Sequence, residues 1–362
     1  MMLPLSSTES GRQAMKLVLS GGDETDNNHL FTVCYLGGDW RCDWRKKCFE
    51  MRRFLHEFLA VISSISDLRI SPNMIAFLCK HFFDGGCGTV SMNKYLGEFQ
   101  IEDLFEIKDV GTTMPVLCRL DNGMDVVAKY MRNPFGSRVL INEFIGSLIA
   151  DMFKINIPAY GIGILTEEVI ANTNYNEDID IDNAGPCFFT VYHGSTVPAS
   201  KHLIQKISVE AIERLVLFDH IIANYDRHRG NLLMNASEDS ELIVIDHSHV
   251  FGRGAELAST KIQEEMDKNV ILSNAILHAN RESYQRLFSC KGYDDHLLLK
   301  QAEDFQKLYS ESELCRSMES IPEVWTQNAK GDILNDIVEL ISKRMSLIDD
   351  ICEMIIDERR KL

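Results

Sequence analysis

Three short stretches of this 362-residue chain carry side chains able to do chemistry. The first is Val126-Val127-Ala128-Lys129, a lysine closing an apolar run. The second is Ala223-Asn224-Tyr225-Asp226-Arg227-His228-Arg229-Gly230-Asn231, and the third is Leu242-Ile243-Val244-Ile245-Asp246 with His247-Ser248-His249 after it. Together they hold what phosphoryl transfer needs. Phosphate oxygens require a fixed cation, and Mg²⁺ requires hard oxygen ligands from a carboxylate and an amide. The acceptor hydroxyl requires a carboxylate or imidazole that orients it and takes its proton.

Such groups work only if the chain between them folds to bring them together. Residues 114–120, the turn Asp121-Asn122-Gly123 and residues 124–131 predict a hairpin, since Asn-Gly favours a tight turn. It ends on Lys129. A helix is expected over Ser137 to Phe153, with an apolar stripe through Ile141, Phe144, Ile145, Leu148, Ile149 and Met152. Its second face, Glu143, Gly146, Ser147 and Ala150, would let a strand approach and receive Glu143. Residues 159–165 and 185–195 suggest strands. The acid- and Asn-rich stretch 166–183 reads as a solvated loop. Ser208 to about Ala223 forms a long amphipathic helix leading into Asp226, and the sequence from about Glu256 onward is strongly helical. Before residue 100, Trp44–Ile62 has helical spacing, Ser71-Pro72 is a helix-start signal for a second helix ending by Asp84-Gly85-Gly86, and neither carries recognisable chemistry.

Each piece alone has a plain explanation: a solvated lysine, a surface acid at Glu143, a loop ion pair at Asp226-Arg227, a turn amide at Asn231, a capping acid at Asp246. Their order and setting argue for more. Asp226 and Asn231 stand five apart, the spacing of the acid and amide in a protein-kinase catalytic loop. The runs DRHRGN and VIDHSHVF resemble the atypical kinases, which include HipA-like and phosphoinositide kinases. MDVVAKYMRNPFGSRVLINEFIGSLIADMFKINIP, FFTVYHGS and IPEVW resemble the HipA-like members over roughly residues 105 to 350. The resemblance implies an α+β, bilobal, protein-kinase-like fold. It has a small β-rich lobe with one helix (101–195) and a larger helical lobe (196–362); residues 1–100, outside the resemblance, read by their own pattern as a helical N-terminal extension.

What it implies for the site follows residue by residue. Lys129, oriented by Glu143, binds ATP phosphates; Asp226 is the catalytic acid/base, supported by His228; Asn231 and Asp246 hold Mg²⁺. Gly111, Thr112 and Thr113 form the phosphate cover and offer hydroxyls for autophosphorylation, while Val191, Tyr192 and His193 contact adenine. Gly-x-Gly-x-x-Gly and Asp-Phe-Gly are both absent, so the typical protein-kinase label does not fit. The activity implied is γ-phosphoryl transfer to Ser or Thr of a protein, with a regulatory or antitoxin-like partner. Three alternatives are a phosphoinositide-type lipid kinase, a non-enzymatic pseudokinase and a zinc hydrolase using His247, His249, Asp226, His228 and Asp246.

Composition narrows the setting. Hydrophobic residues are 45% and charged residues 25%, an ordinary globular balance. Fifty-four acids against 37 bases give a net charge of −17, which disfavours nucleic acid and anionic membranes as partners. Ten cysteines without a Cys-x-x-Cys pair suggest a reducing compartment. No apolar run of membrane-spanning length and no signal-like start point to a cytoplasmic protein.

Overall fold

The computed structural model describes residues 16–19, 31–34, 94–107, 113–173, 179–235, 241–252, 259–327, 329 and 331–361. The helices expected between Trp44 and Gly86 lie outside these, as do Gly111 and Thr112. The chain divides into two units, Met1–Phe82 and Phe83–Leu362. In the first, β1 (Lys16–Leu19) pairs antiparallel with β2 (Phe31–Cys34).

The second unit opens with a closed barrel. β3 (Tyr95–Ile107), β4 (Val116–Leu120) and β5 (Asp125–Lys129) follow one another antiparallel. The β4–β5 turn forms as its sequence demands: Gly123 has φ 83° and its N–H reaches Leu120 O at 2.8 Å. β6 (Tyr160–Leu165) and β7 (Gly185–Val191) complete the order β3-β4-β5-β7-β6, and the parallel pairing of β3 with β6 closes it. Closure is tight at Gly161, where a Cβ would lie 2.6 Å from both Gly97 O and the Phe189 ring. β3 begins well before Glu102, where the sequence first suggests strands.

Between β5 and β6 runs α1 (Arg138–Met152), and every residue from Arg138 to Ala150 is buried. The expected stripe and the small-residue face are therefore both covered, as befits a helix apolar on nearly all sides. Residues 166–183 correct the expectation of a solvated loop. Glu167–Asn172 is a helix, α2, capped by Thr166 Oγ1, which accepts from Val169 N at 3.3 Å. Its two leading acids favour the positive end of the helix dipole, and Ile170 and Ile179 are buried in the barrel core. Glu167 and Glu168 start the helix, and they, Asp180 and Asp182 are exposed, so the stretch is solvated at its acids but not a loop over 167–172.

After β7 the chain enters a small antiparallel sheet of β8 (Thr196–Pro198), β9 (Leu232–Asn235) and β10 (Leu242–Val244). α3 (Lys201–Ile204) and α4 (Val209–Ile221) lie between β8 and β9. The remainder is helical: α5 (Ser259–Glu265), α6 (Lys268–Ile271), α7 (Ala275–Ala279), α8 (Arg281–Lys291), α9 (Asp295–Leu308), α10 (Glu311–Met318), α11 (Glu323–Thr326), α12 (Ile333–Ser346) and α13 (Ile348–Arg359). One continuous apolar cluster joins α1, Tyr160 and Ile162 of β6, Phe188 of β7, α4 and the C-terminal helices, while Leu165, Cys187 and Phe189 of the same strands belong to the separate barrel core. Phe153 stacks on Phe305 at 4.1 Å, Phe144 meets Trp325 edge-on, and Trp325 Nε1 donates to Pro186 O at 2.9 Å. The described cysteines are free, and Cys118, Cys187 and Cys352 are buried. No described helix is long and apolar enough to cross a membrane.

Candidate active site

β5 delivers Lys129 into the interior, and α1 delivers Glu143 against it. Their side chains form a buried ion pair, and the same ammonium reaches Asp246 Oδ1 at 3.1 Å. Burial pulls the Lys129 ammonium down, but Asp246 and Glu143 outweigh it and hold its pKa above the usual lysine value. Burial pushes Glu143 up to about 7, against the pull of Lys129. Asp246 would rise on burial, yet Lys129 and Ser248 hold its carboxyl well below the ordinary range. Ser248 donates to Asp246 Oδ1 from both its N–H and its hydroxyl. Asp246 keeps 30% side-chain exposure, so the carboxylate is fixed by Oδ1 while remaining reachable.

The turn that carries Asp246 is strained and tied to α1. Asp246 has φ 60° and Phe251 φ 62°, left-handed conformations costing a side-chain-bearing residue about 1–2 kcal/mol each. His247 N–H donates to Glu143 Oε2 at 2.9 Å. The His247 ring fills the notch at Gly146, where a Cβ would sit 2.5 Å from His247 Cβ, and meets Phe218 edge-on. Burial, then the nearby Arg227, draws the His247 pKa down to about 3, so the ring is neutral. The strand ends at Val244, so His247 and His249 do not alternate on one as the zinc alternative requires. Among the described residues no three His, Cys, Asp or Glu side chains are grouped to hold a metal ion.

The Asp226 loop begins where α4 stops. Ala223 takes φ 49°, and Asn224 N–H returns to Asp219 O at 2.8 Å. Asn224 Oδ1 then accepts from Asp226 N at 2.9 Å, and Asn231 Nδ2 donates to Asp226 O at 2.9 Å. Arg227 is the strut beneath. It pairs with Asp219 at 2.8 Å, both side chains fully buried, and its Nη1 reaches Ile245 O at 2.9 Å. Asp219 also accepts from Asn224 Nδ2 and from Tyr284 OH, each at 2.9 Å. Ile245 N in turn donates to Asn231 O at 3.0 Å. The neighbours of Asp226 and Asp246 are thus bonded to each other, and the two loops form one assembly. Asn231 commits its amide nitrogen to the loop, so its Oδ1 and the Asp246 carboxylate offer the hard oxygen donors that suit Mg²⁺.

The sequence matches the family model of the HipA-like kinases over residues 101–349, more than half of the chain. The chain belongs to the HipA-like kinase family. No curated protein matches its sequence. Among solved structures, this HipA-like kinase is similar to the Helicobacter pylori proinflammatory kinase CtkA, at 10% identity, 72% of this chain, 98% of that one and a TM-score of 0.47. It is also similar to a Golgi casein kinase with Mn/ADP bound, at 13% identity, 71% and 73% coverage and a TM-score of 0.41. Likenesses that loose say nothing about ligand or substrate.

Among the residues singled out in the kinase sequence, Lys129, Glu143 and Asp246 are in direct contact, and Asp226 and Asn231 share a hydrogen bond. His228 is exposed, and its Nδ1 accepts from Gly230 N–H at 3.0 Å. Thr113 is buried. Val191 ends β7, and the N–H groups of Val191 and Tyr192 are engaged with Ala159 O and Asp125 O at 2.8 and 2.9 Å. His193 O accepts from Thr196 N at 3.1 Å. Sequence reasoning missed Asp219, Ser248, Asn280 and Tyr284. Asp219-His220 inside the apolar run LVLFDHII was a visible signal, because a charge embedded there must be paired. Asn280 and Tyr284 carried none: Asn280 accepts from Arg227 N at 2.7 Å and donates to Asn224 O at 2.9 Å across loops remote in sequence.

Proposed function

We propose that this kinase transfers the γ-phosphoryl group of ATP to a Ser or Thr hydroxyl of a protein. The observation that carries this is the buried Lys129–Glu143 pair bonded through Lys129 to Asp246, with Asp226 and Asn231 on a loop that Arg227 latches to the same turn. Lys129 steadies the phosphates, and Glu143 keeps the ammonium aimed. Asn231 and Asp246 hold the divalent cation, Mg²⁺, which when bound neutralises phosphate charge. Asp226 orients the acceptor hydroxyl and takes its proton. His228 accepts Gly230 N–H at Nδ1, so in its neutral form it carries its proton on Nε2. It therefore acts as a donor beside Asp226 rather than as a competing base. Thr113 borders the phosphates, and the Val191–His193 connector borders the adenine.

The net charge of −17 favours a basic protein segment over an anionic lipid surface as the acceptor. The test is incubation of pure protein with labelled ATP and Mg²⁺, alongside a basic protein acceptor and, separately, phosphatidylinositol vesicles. Phospho-Ser or phospho-Thr in protein, weakened by salt and absent with Asp226→Asn, is expected. Label in lipid alone would reverse the assignment, and no label anywhere with intact nucleotide binding would make the chain a pseudokinase.

A further inference from the structure

We propose that Asn142 is a positioning residue that holds the Asp246 turn in its strained form and couples it to the Lys129–Glu143 pair. This rests on the function proposed above. Asn142 is fully buried on α1, and its Nδ2 donates to Ser248 O at 2.7 Å and to Val250 O at 3.1 Å. Both carbonyls belong to the turn that begins at Asp246 and contains two left-handed residues with side chains. One turn of α1 earlier, Arg138 Nη2 donates to Gly252 O at 3.1 Å. Phe251 N, on the other side, is held by Ile222 O at 3.0 Å.

The placement makes one helix serve two halves of the site. Glu143, the next residue, binds Lys129 with one carboxylate oxygen and His247 N–H with the other. Asn142 and Glu143 therefore grip three residues of the turn, 247, 248 and 250, from consecutive positions. Among the described residues the buried Asn142 amide oxygen has no hydrogen-bond partner, so an apolar side chain of the same size would suit the site better but for the two N–H donors. Without them the backbone after Asp246 relaxes toward right-handed dihedrals, and the carboxylate swings away from the direction Ser248 and Lys129 now fix. Asn142 is fully buried and bonds only the backbone of the turn, so its effect must appear in how Asp246 binds metal.

The full-length Asn142→Leu variant keeps the shape and removes both donors. Titration calorimetry with a non-hydrolysable ATP analogue, with and without Mg²⁺, should show the metal-dependent gain in affinity falling roughly 10- to 100-fold, the usual cost of losing a group that orients a metal ligand. Affinity for the metal-free analogue, carried by Lys129, should change far less, because Glu143 still holds the ammonium. Hydrogen exchange should accelerate at the amides of residues 247–251 and remain unchanged at 224–231, a readout independent of nucleotide. If leucine prevents folding, Asn142→Ser retains one donor and should show the same pattern, less pronounced. An unchanged metal-dependent gain, or unchanged exchange in the turn, overturns the proposal. Wild-type protein whose nucleotide binding ignores Mg²⁺ would instead overturn the assignment of Asp246, and the positioning role with it.

Discussion

Replacing Gly146 with alanine tests whether the packing of α1 on the Asp246 turn controls the lysine pair. An added Cβ would lie 2.5 Å from His247 Cβ and 2.9 Å from Cγ, where carbon atoms at rest keep about 3.5–4.0 Å. Relief requires a movement of about 1 Å by α1 or by His247. The ring is backed by Phe218 and α1 is buried along its length, so the yielding part is the turn. Such a shift would stretch the 2.9 Å bond from His247 N to Glu143 Oε2 beyond hydrogen-bond range. In stability the effects nearly offset: alanine gains about 1 kcal/mol of helix propensity over glycine, and overpacking costs about 1–3 kcal/mol. Melting should therefore fall by only a few degrees. A 1 Å misplacement at a reacting centre costs up to about 100-fold, so kcat/KM for ATP should drop by at least ~10-fold. Steady-state kinetics beside a thermal melt decide it. Full activity together with a raised melting temperature would show that the His247 notch yields without disturbing Glu143, and would refute the coupling.

Arg227→Met leaves Asp219 charged and buried, which should cost about 3–5 kcal/mol of stability in denaturant unfolding, whereas Tyr284→Phe, removing one of several donors to that carboxylate, should cost about 1 kcal/mol. For pH, Glu143 titrates near 7 in the folded protein against an ordinary value of 4.5, so it is protonated and releases Lys129 as the pH falls through 7. The rate profile should lose activity on that acid side, and Glu143→Gln should flatten the limb at a low level. The same raised pKa means that the folded form binds this proton more tightly than the unfolded one. Its contribution to stability is complete below 4.5 and is lost as pH rises through 7, opposite in direction to the activity.

How much of this was legible before folding depends on the distance over which each signal acts. The hairpin ending at Lys129 was readable because Asn-Gly dictates a turn within four residues, and α1 because its apolar spacing is local. Belonging to the HipA-like kinases was readable from runs such as DRHRGN that keep their order. The closing of the barrel was not, since β3 pairs in parallel with β6 across an intervening hairpin and helix, and no local pattern encodes that register. Residues 166–183 misled because acidity serves both a solvated loop and a helix N-terminus, and the Thr166 cap tips the balance. Arg227 was visible as a loop ion pair, but its role as a strut depends on Asp219, Ile245 and Asn280, which the fold alone brings to it.

The burial of α1 also constrains the order in which the molecule can be made. Phe144 packs against Trp325 and Phe153 against Phe305, while Trp325 hydrogen-bonds Pro186 of β7. A nascent chain therefore presents an apolar helix whose covering residues have not yet been translated, and at about 5–20 residues per second that interval lasts tens of seconds. The barrel strands emerge early but cover only part of this helix, as where Tyr160 of β6 meets Phe144 edge-on. Folding of this unit thus waits on the helices that carry Phe305 and Trp325. A ribosome stalled before codon 325 would display an aggregation-prone fragment, and a chaperone that masks α1 during that interval would raise the yield of active enzyme.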